Sequence, residues 1–257
     1  MKIELQPNKK IYFASDQHFG APTPESSKPR EAKFLAWLDE IKHDAQILFL
    51  MGDLFDFWHE WKYVVPKGYV RILGKLAELK DSGIDIYFFV GNHDLWMKDY
   101  LEEEIGIPVF FEKQYYEISG KNFLLAHGDG LGPGDKGYKR MKKLFTNPIA
   151  QWFFKWLHPD IAMKIAVYFS TKNKMISGVE DMKFLGEDKE FLILYSKEKL
   201  KSEKIDYFVY GHRHLPMILD LKIDENAAKY INLGDWISYF TYGVFDGEEF
   251  KIEEYKQ

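Results

Sequence analysis

Six short apolar runs, rich in β-branched and aromatic residues, punctuate this chain at 11–15, 46–51, 84–90, 122–126, 205–210 and 230–233. Runs of this length, apolar at successive positions, predict strands buried on both faces. Between several of them the apolar spacing becomes that of a helix: Phe34, Leu35, Leu38 and Ile41; Val70, Leu73, Leu76 and Leu79; Leu192, Leu194, Tyr195 and Leu200. Strand alternating with helix predicts an α/β fold. A length of 257 residues with 46% hydrophobic side chains is ample for its core. Ser119-Gly120 and Asp246-Gly247 are hairpin signals that add antiparallel strands. Residues 131–200 interrupt the strand pattern with helix-like sequence and predict an insertion, a lid over the strand ends, with 1–130 and 201–257 as the core.

The residues that follow the strands are polar in a particular way: Asp16-Gln17-His18, Gly52-Asp53-Leu54-Phe55-Asp56, Gly91-Asn92-His93-Asp94, His127-Gly128-Asp129 and Gly211-His212-Arg213-His214. Carboxyl ends of strands in open α/β sheets are where loops converge on ligands. In extended chain, residues i and i+2 point the same way, so Asp16 with His18, and His212 with His214, can each grip one site, while Arg213 points away as a structural residue. With no cysteine in the chain, a metal must be held by oxygen and imidazole nitrogen. Two divalent cations sharing a carboxylate suit this set. The expected ligands are Asp16, His18, Asp53 and His214 for one ion, and Asp53, Asn92, His127 and His212 for the other. A water held between such ions attacks phosphorus in line. His93 and Asp94 are the expected catalytic residues, His93 by donating to a phosphate oxygen or the leaving group, Asp94 by orienting histidines, as Asp56 could.

Those motifs, in that order and over nearly the whole chain, resemble the calcineurin-like metallophosphoesterase superfamily. The resemblance implies a four-layered αββα sandwich with a dinuclear site at the strand ends. The segment from His127 to Asp135, the basic and aromatic stretch after it, and Asn232-Leu-Gly-Asp-Trp236 are similar to the UDP-2,3-diacylglucosamine pyrophosphatase family. Members of that family cleave the substrate's pyrophosphate to UMP and 2,3-diacylglucosamine 1-phosphate in lipid A biosynthesis. They use manganese and sit peripherally on the inner membrane. Well-known members carry Arg where this chain has His93, a departure that bears on how phosphate is held. By the same resemblance, Asn92, His93 and His212 contact substrate. Tyr168, Ser170, Lys172, Asn173 and Lys174 are candidates for its phosphate and sugar, and Asp135 for a sugar hydroxyl or amide.

Residues 136–175 hold nine Lys or Arg against one acid, Asp160, in a chain whose net charge is -5. Beside these cations lie Trp152, Phe153, Trp156 and Leu157, in a run too short to cross a bilayer but suited to lie on an anionic one. The alternative is that this face packs against the core. The beginning of the sequence lacks a secretory signal pattern, so a cytoplasmic location is expected. The overall acidity and the aromatic density argue against nucleic acid as the partner, and no obligate protein partner is evident. Two rivals stand beside the lipid reading: a phosphodiesterase or nuclease on the same scaffold, and a non-catalytic scaffold, which should show broken ligands where this chain has a full set.

Overall fold

The structure, a computed structural model, describes residues 1–133, 136–177 and 183–256, with side chains described except at 136, 137 and 169–177. Twelve strands form among them: β1 Lys2–Ile3, β2 Lys10–Ala14, β3 Ala45–Leu50, β4 Asp85–Phe89, β5 Val109–Phe110, β6 Gln114–Ile118, β7 Lys121–Leu125, β8 Tyr207–Tyr210, β9 Met217–Ile223, β10 Asn226–Asn232, β11 Thr241–Phe245 and β12 Phe250–Glu254. They make two six-stranded sheets, ordered β1-β6-β7-β8-β10-β9 and β12-β11-β2-β3-β4-β5. β2 to β5 run parallel, as do β7, β8 and β10. Antiparallel hairpins close at 119–120, between β6 and β7, and at 246–249, between β11 and β12.

Side-chain alternation along the strands stacks the layers. Ile47 and Phe49 of β3, Phe123 and Leu125 of β7, and Tyr207 and Val209 of β8 meet in the core between the sheets. The intervening Leu48 and Leu50 face outward onto helices α1 (Pro24–Ile41) and α2 (Val70–Asp81). Leu124, Phe208 and Tyr210 face α6 (Phe191–Leu200) on the opposite side. The result is helix, sheet, sheet, helix. Each large apolar side chain fully buried this way contributes roughly 1.5–3 kcal/mol.

Helix α1 begins well before its apolar spacing because Thr23 caps it: its hydroxyl accepts the Ser26 N–H, the Ser26 hydroxyl accepts the Thr23 N–H, and Pro24 occupies the first turn. Between β7 and α6 lie α3 (Lys136–Phe145), α4 (Pro148–Lys155) and α5 (Pro159–Ser177). α6 differs from these three: Leu192, Ile193 and Leu200 are buried against the first sheet, so it forms a layer of the sandwich. No helix among the described residues is long and apolar enough to cross a membrane.

Candidate metal centre

Because the central strands of each sheet are parallel, their carboxyl ends open on one side. There the loops after β2, β3 and β4 meet those after β7, β8 and β10. Backbone hydrogen bonds prolong the β2–β3 pairing into the loops, from Asp16 N–H to Gly52 O (3.0 Å) and from His18 N–H to Asp53 O (2.9 Å). Gly211 N–H to His127 O (2.9 Å) does the same between β8 and β7. The close approach excludes side chains at two glycines: a Cβ on Gly91 would lie 2.2 Å from Asp53 Oδ1, and one on Gly211 1.9 Å from Ser15 Oγ.

Within this pocket the structure brings all seven expected ligand residues together. Asp16 Oδ1 lies 3.4 Å from His214 Nε2 and 3.8 Å from His18 Nε2. Asp53 Oδ2 lies 3.5 Å from both His18 Nε2 and His127 Nε2, which suits the shared position. Asn92 Oδ1 is 3.2 Å from His127 Nε2 and 2.8 Å from His212 Nδ1. Asp16, His18, Asp53, His212 and His214 all adopt positive φ, between 45° and 68°, a conformation that non-glycine residues keep only where the surroundings enforce it.

Outer groups aim the imidazoles. His127 Nδ1 donates to Met51 O (2.8 Å), leaving Nε2 to face inward. His214 Nδ1 lies 3.1 Å from Asp235 Oδ2, and Asp235 Oδ1 accepts the N–H groups of Ile237, Ser238 and Tyr239. Asp56 Oδ1 lies 3.5 Å from His18 Nδ1 and 3.4 Å from His93 Nδ1, which also lies 2.9 Å from Asp56 O. Such outer partners fix ring orientation and raise ligand basicity. Asp235 is the residue that motif spacing alone did not single out, although it lies after β10 as the others lie after their strands.

The charges in the pocket act strongly on one another. Burial opposes charge on Asp16 and Asp53, yet the neighbouring histidines, His214 and His127 foremost, hold both carboxyls below the usual range. Burial pulls His127 down, but Asp53 outweighs it and pushes the imidazole up to about 10. His212, buried and beside His127, is pulled down to about 4. Asp16 Oδ1 is buried with no hydrogen-bond partner among the described residues. Buried carboxylates and imidazoles that perturb one another this strongly suit the binding of cations. Three groups among the described residues, Asp16-His18-His214, Asp16-Asp53-His127 and His18-Asp56-His93, have donor atoms all within 4.8 Å of one another, and the first two consist of expected ligands. The oxygen and imidazole donors fit divalent ions.

Asp94 departs from its expected role. Its fully buried carboxylate accepts the N–H groups of Gly91 (2.6 Å) and Leu54 (3.0 Å), and so ties the loop after β4 to that after β3. Burial and the Asp53 charge push it up to about 7. It is a positioning residue, because both oxygens are committed to backbone. Arg213 points away from the pocket, as its odd register predicts, and pairs with Glu190 in front of α6 (3.0 Å). Asp135 lies outside the described residues, as do the side chains of Ser170, Lys172, Asn173 and Lys174, while Tyr168 is exposed.

Two strand-end clusters drawn from separate sheets, with donors suited to divalent ions, define a metal-dependent phosphoesterase. The chain belongs to the calcineurin-like phosphoesterase family, whose profile matches residues 9–216. It is similar to the UDP-2,3-diacylglucosamine hydrolase of Porphyromonas gingivalis, at 40% identity over 95% of this chain and 97% of that protein. The enzymes of the same name from Edwardsiella ictaluri (27% identity; 87% of this chain, 83% of that protein) and Yersinia pestis (25%; 87% and 90%) also match.

Proposed function

We propose that this chain hydrolyses the diphosphate of UDP-2,3-diacylglucosamine, giving UMP and 2,3-diacylglucosamine 1-phosphate for lipid A biosynthesis. The observation that carries the reading beyond the family is a cavity of about 230 Å³ at the metal centre, opening beside Asn92 and His93. Its walls are Phe57, Trp58 and Trp96 from the core and Phe145, Phe154 and Ile165 from the helices, an apolar lining suited to acyl chains. Helices α3 to α5 act as its lid. Phe154 packs on Trp96 (4.5 Å) and His59 (5.1 Å), and Trp96 Nε1 donates to Phe145 O (2.7 Å).

Asp16, His18, Asp53 and His214 would hold one ion and Asp53, Asn92, His127 and His212 the other, with manganese as the proposed metal. When bound, the ions neutralise phosphoryl charge and acidify the attacking water. Asn92 and His212 position the phosphate. His93, braced by Asp56, stands beside the apolar cavity, where it donates a proton to a phosphate oxygen or the departing group. Ser170, Lys172, Asn173, Lys174 and Asp135 are further candidates for contacts with sugar and phosphate.

The remaining face of α4 supports peripheral attachment to the cytoplasmic side of the inner membrane. Ile149, Trp152, Phe153 and Trp156 are exposed on it beside Lys155, so the turn that packs inward is carried by Phe154. Aromatic rings flanked by lysine suit an anionic lipid surface. The test is to incubate the purified chain and manganese with UDP-2,3-diacylglucosamine, with UDP-sugars lacking acyl chains, and with single-stranded DNA. Release of UMP from the acylated compound alone is expected; cleavage of DNA alone overturns the reading.

A further inference from the structure

A second cavity adjoins the candidate metal centre at His127. It measures about 250 Å³, and its floor is the stretch from Ala126 through His127 to Leu131. Its outer wall is Phe111, Glu112 and Lys113, which follow the edge strand β5. Because β5 runs parallel to β4, this wall emerges at the same strand ends as Asn92 and His93. The two cavities share no lining residue and differ in chemistry: the first is walled mainly by aromatic and aliphatic side chains, whereas the second adds Glu112, Lys113, Asp129, Lys139 and Lys142 to its apolar lining.

Three lysines approach this second cavity. Lys142 pairs with the buried Asp129, whose carboxylate also accepts the Tyr138 hydroxyl (2.5 Å), so this cation is committed to holding α3 against the loop after β7. Lys139 donates to Gly132 O (2.6 Å). Lys113 makes no hydrogen bond or salt bridge among the described residues, although it is only partly exposed. Phe111 is 56% exposed, an unusual placement for a phenyl ring beside a cavity. An exposed ring face beside a lysine that makes no hydrogen bond among the described residues suits a flat heterocycle carrying a phosphate.

We infer that this cavity holds the uridine end of the substrate, with the base on Phe111 and Lys113 toward the ribose and its phosphate. The inference rests on the proposed substrate, because a diphosphate at the metal centre with acyl chains on the His93 side leaves the nucleotide for the His127 side. Cleavage then leaves UMP in the Phe111 cavity and the acylated sugar phosphate in the apolar one, so the two products leave by separate routes.

Calorimetric titration of UMP, and separately of inorganic phosphate, into the full chain with manganese tests this. UMP should bind more tightly than phosphate. Phe111→Ala and Lys113→Ala should each weaken UMP about tenfold, the size of one base-stacking contact, whereas Lys251→Ala on β12 should bind as the parent does. Both test residues lie outside the buried core, and an unchanged melting temperature will show that each variant folds. Equal binding of UMP and phosphate, or UMP binding indifferent to both substitutions, overturns the inference. Measuring UMP release from the acylated substrate in parallel separates the two claims. Hydrolysis with Phe111-independent UMP binding keeps the reaction and removes the pocket; Phe111-dependent UMP binding without hydrolysis does the reverse.

Discussion

Glu190→Leu should destabilise the fold by far more than an ordinary ion-pair deletion. Arg213 is inserted between two expected metal ligands and buried, and its Nε and one terminal nitrogen each donate to a Glu190 oxygen at 3.0 Å, with a further bond to Lys183 O at 3.0 Å. Removing Glu190 takes away the carboxylate to which Nε and a terminal nitrogen of this buried guanidinium donate, and breaking a buried pair of this kind costs about 3–5 kcal/mol. For a chain of this size each kcal/mol is worth roughly 2–4 °C, so the melting temperature should fall by about 6–20 °C. Replacing both partners, as Glu190→Leu with Arg213→Met, should recover most of the loss, because an apolar pair has no unpaired charge to bury. Metal content should follow the same order, since Arg213 anchors the backbone that aims His212 and His214. Thermal and urea unfolding of the two variants, with metal analysis, checks this. A loss of about 1 kcal/mol or less, the worth of an exposed ion pair, or a double variant no better than the single one, would refute the argument.

Three further outcomes are expected. Gly91→Ala should abolish metal retention while the chain still folds, because the new methyl would collide with Asp53 Oδ1 at 2.2 Å; metal analysis of the purified variant decides it. Asp235→Asn should weaken metal affinity about 10–100-fold by loosening His214, measured by competition with a chelator, and unchanged affinity would mean that His214 needs no such brace. His59 is buried, with both ring nitrogens lacking a hydrogen-bond partner among the described residues, and burial, with Lys98 and Lys155, pulls it down to about 4. Its ordinary value is about 6.5. The unfolded chain therefore takes up this proton first, so the stability His59 confers is complete above pH 6.5 and is lost as pH falls toward 4. His59→Phe should remove about 2 kcal/mol of the decline between pH 7 and 5, and equal slopes for the two proteins in urea titrations would exclude the effect.

The metal centre was legible in the sequence because its information is local: a polar motif directly after an apolar run states both the ligand and its place on the sheet. Asp16 and His18 do lie together and Arg213 does turn away, but the backbone at these ligands is left-handed rather than extended, and His212 faces Asn92 while His214 faces Asp16. What spacing does not encode is the partner across space. Asp94 carries the same carboxylate as Asp53, yet turns onto the backbone of Gly91 and Leu54. Asp235 braces His214 from 21 residues further along the chain. Strands β1 and β5 have two residues each, too few for any periodicity to register. In α4 the apolar residues cover all of the helix but the side of Gln151 and Lys155, so the position of Trp96 and His59 beneath Phe154 decides which one turns inward.

Left-handed backbone at five of the seven expected ligands limits how such a centre can change over generations. That conformation is tolerated by Asn, Asp and His far better than by β-branched or bulky residues. Exchanges among those short polar types are therefore open, whereas a threonine or valine at the same place would unseat the loop before any question of metal preference arose. Selection for a different ion would have to work through the second tier of residues, Asp56 and Asp235, rather than through the donors themselves.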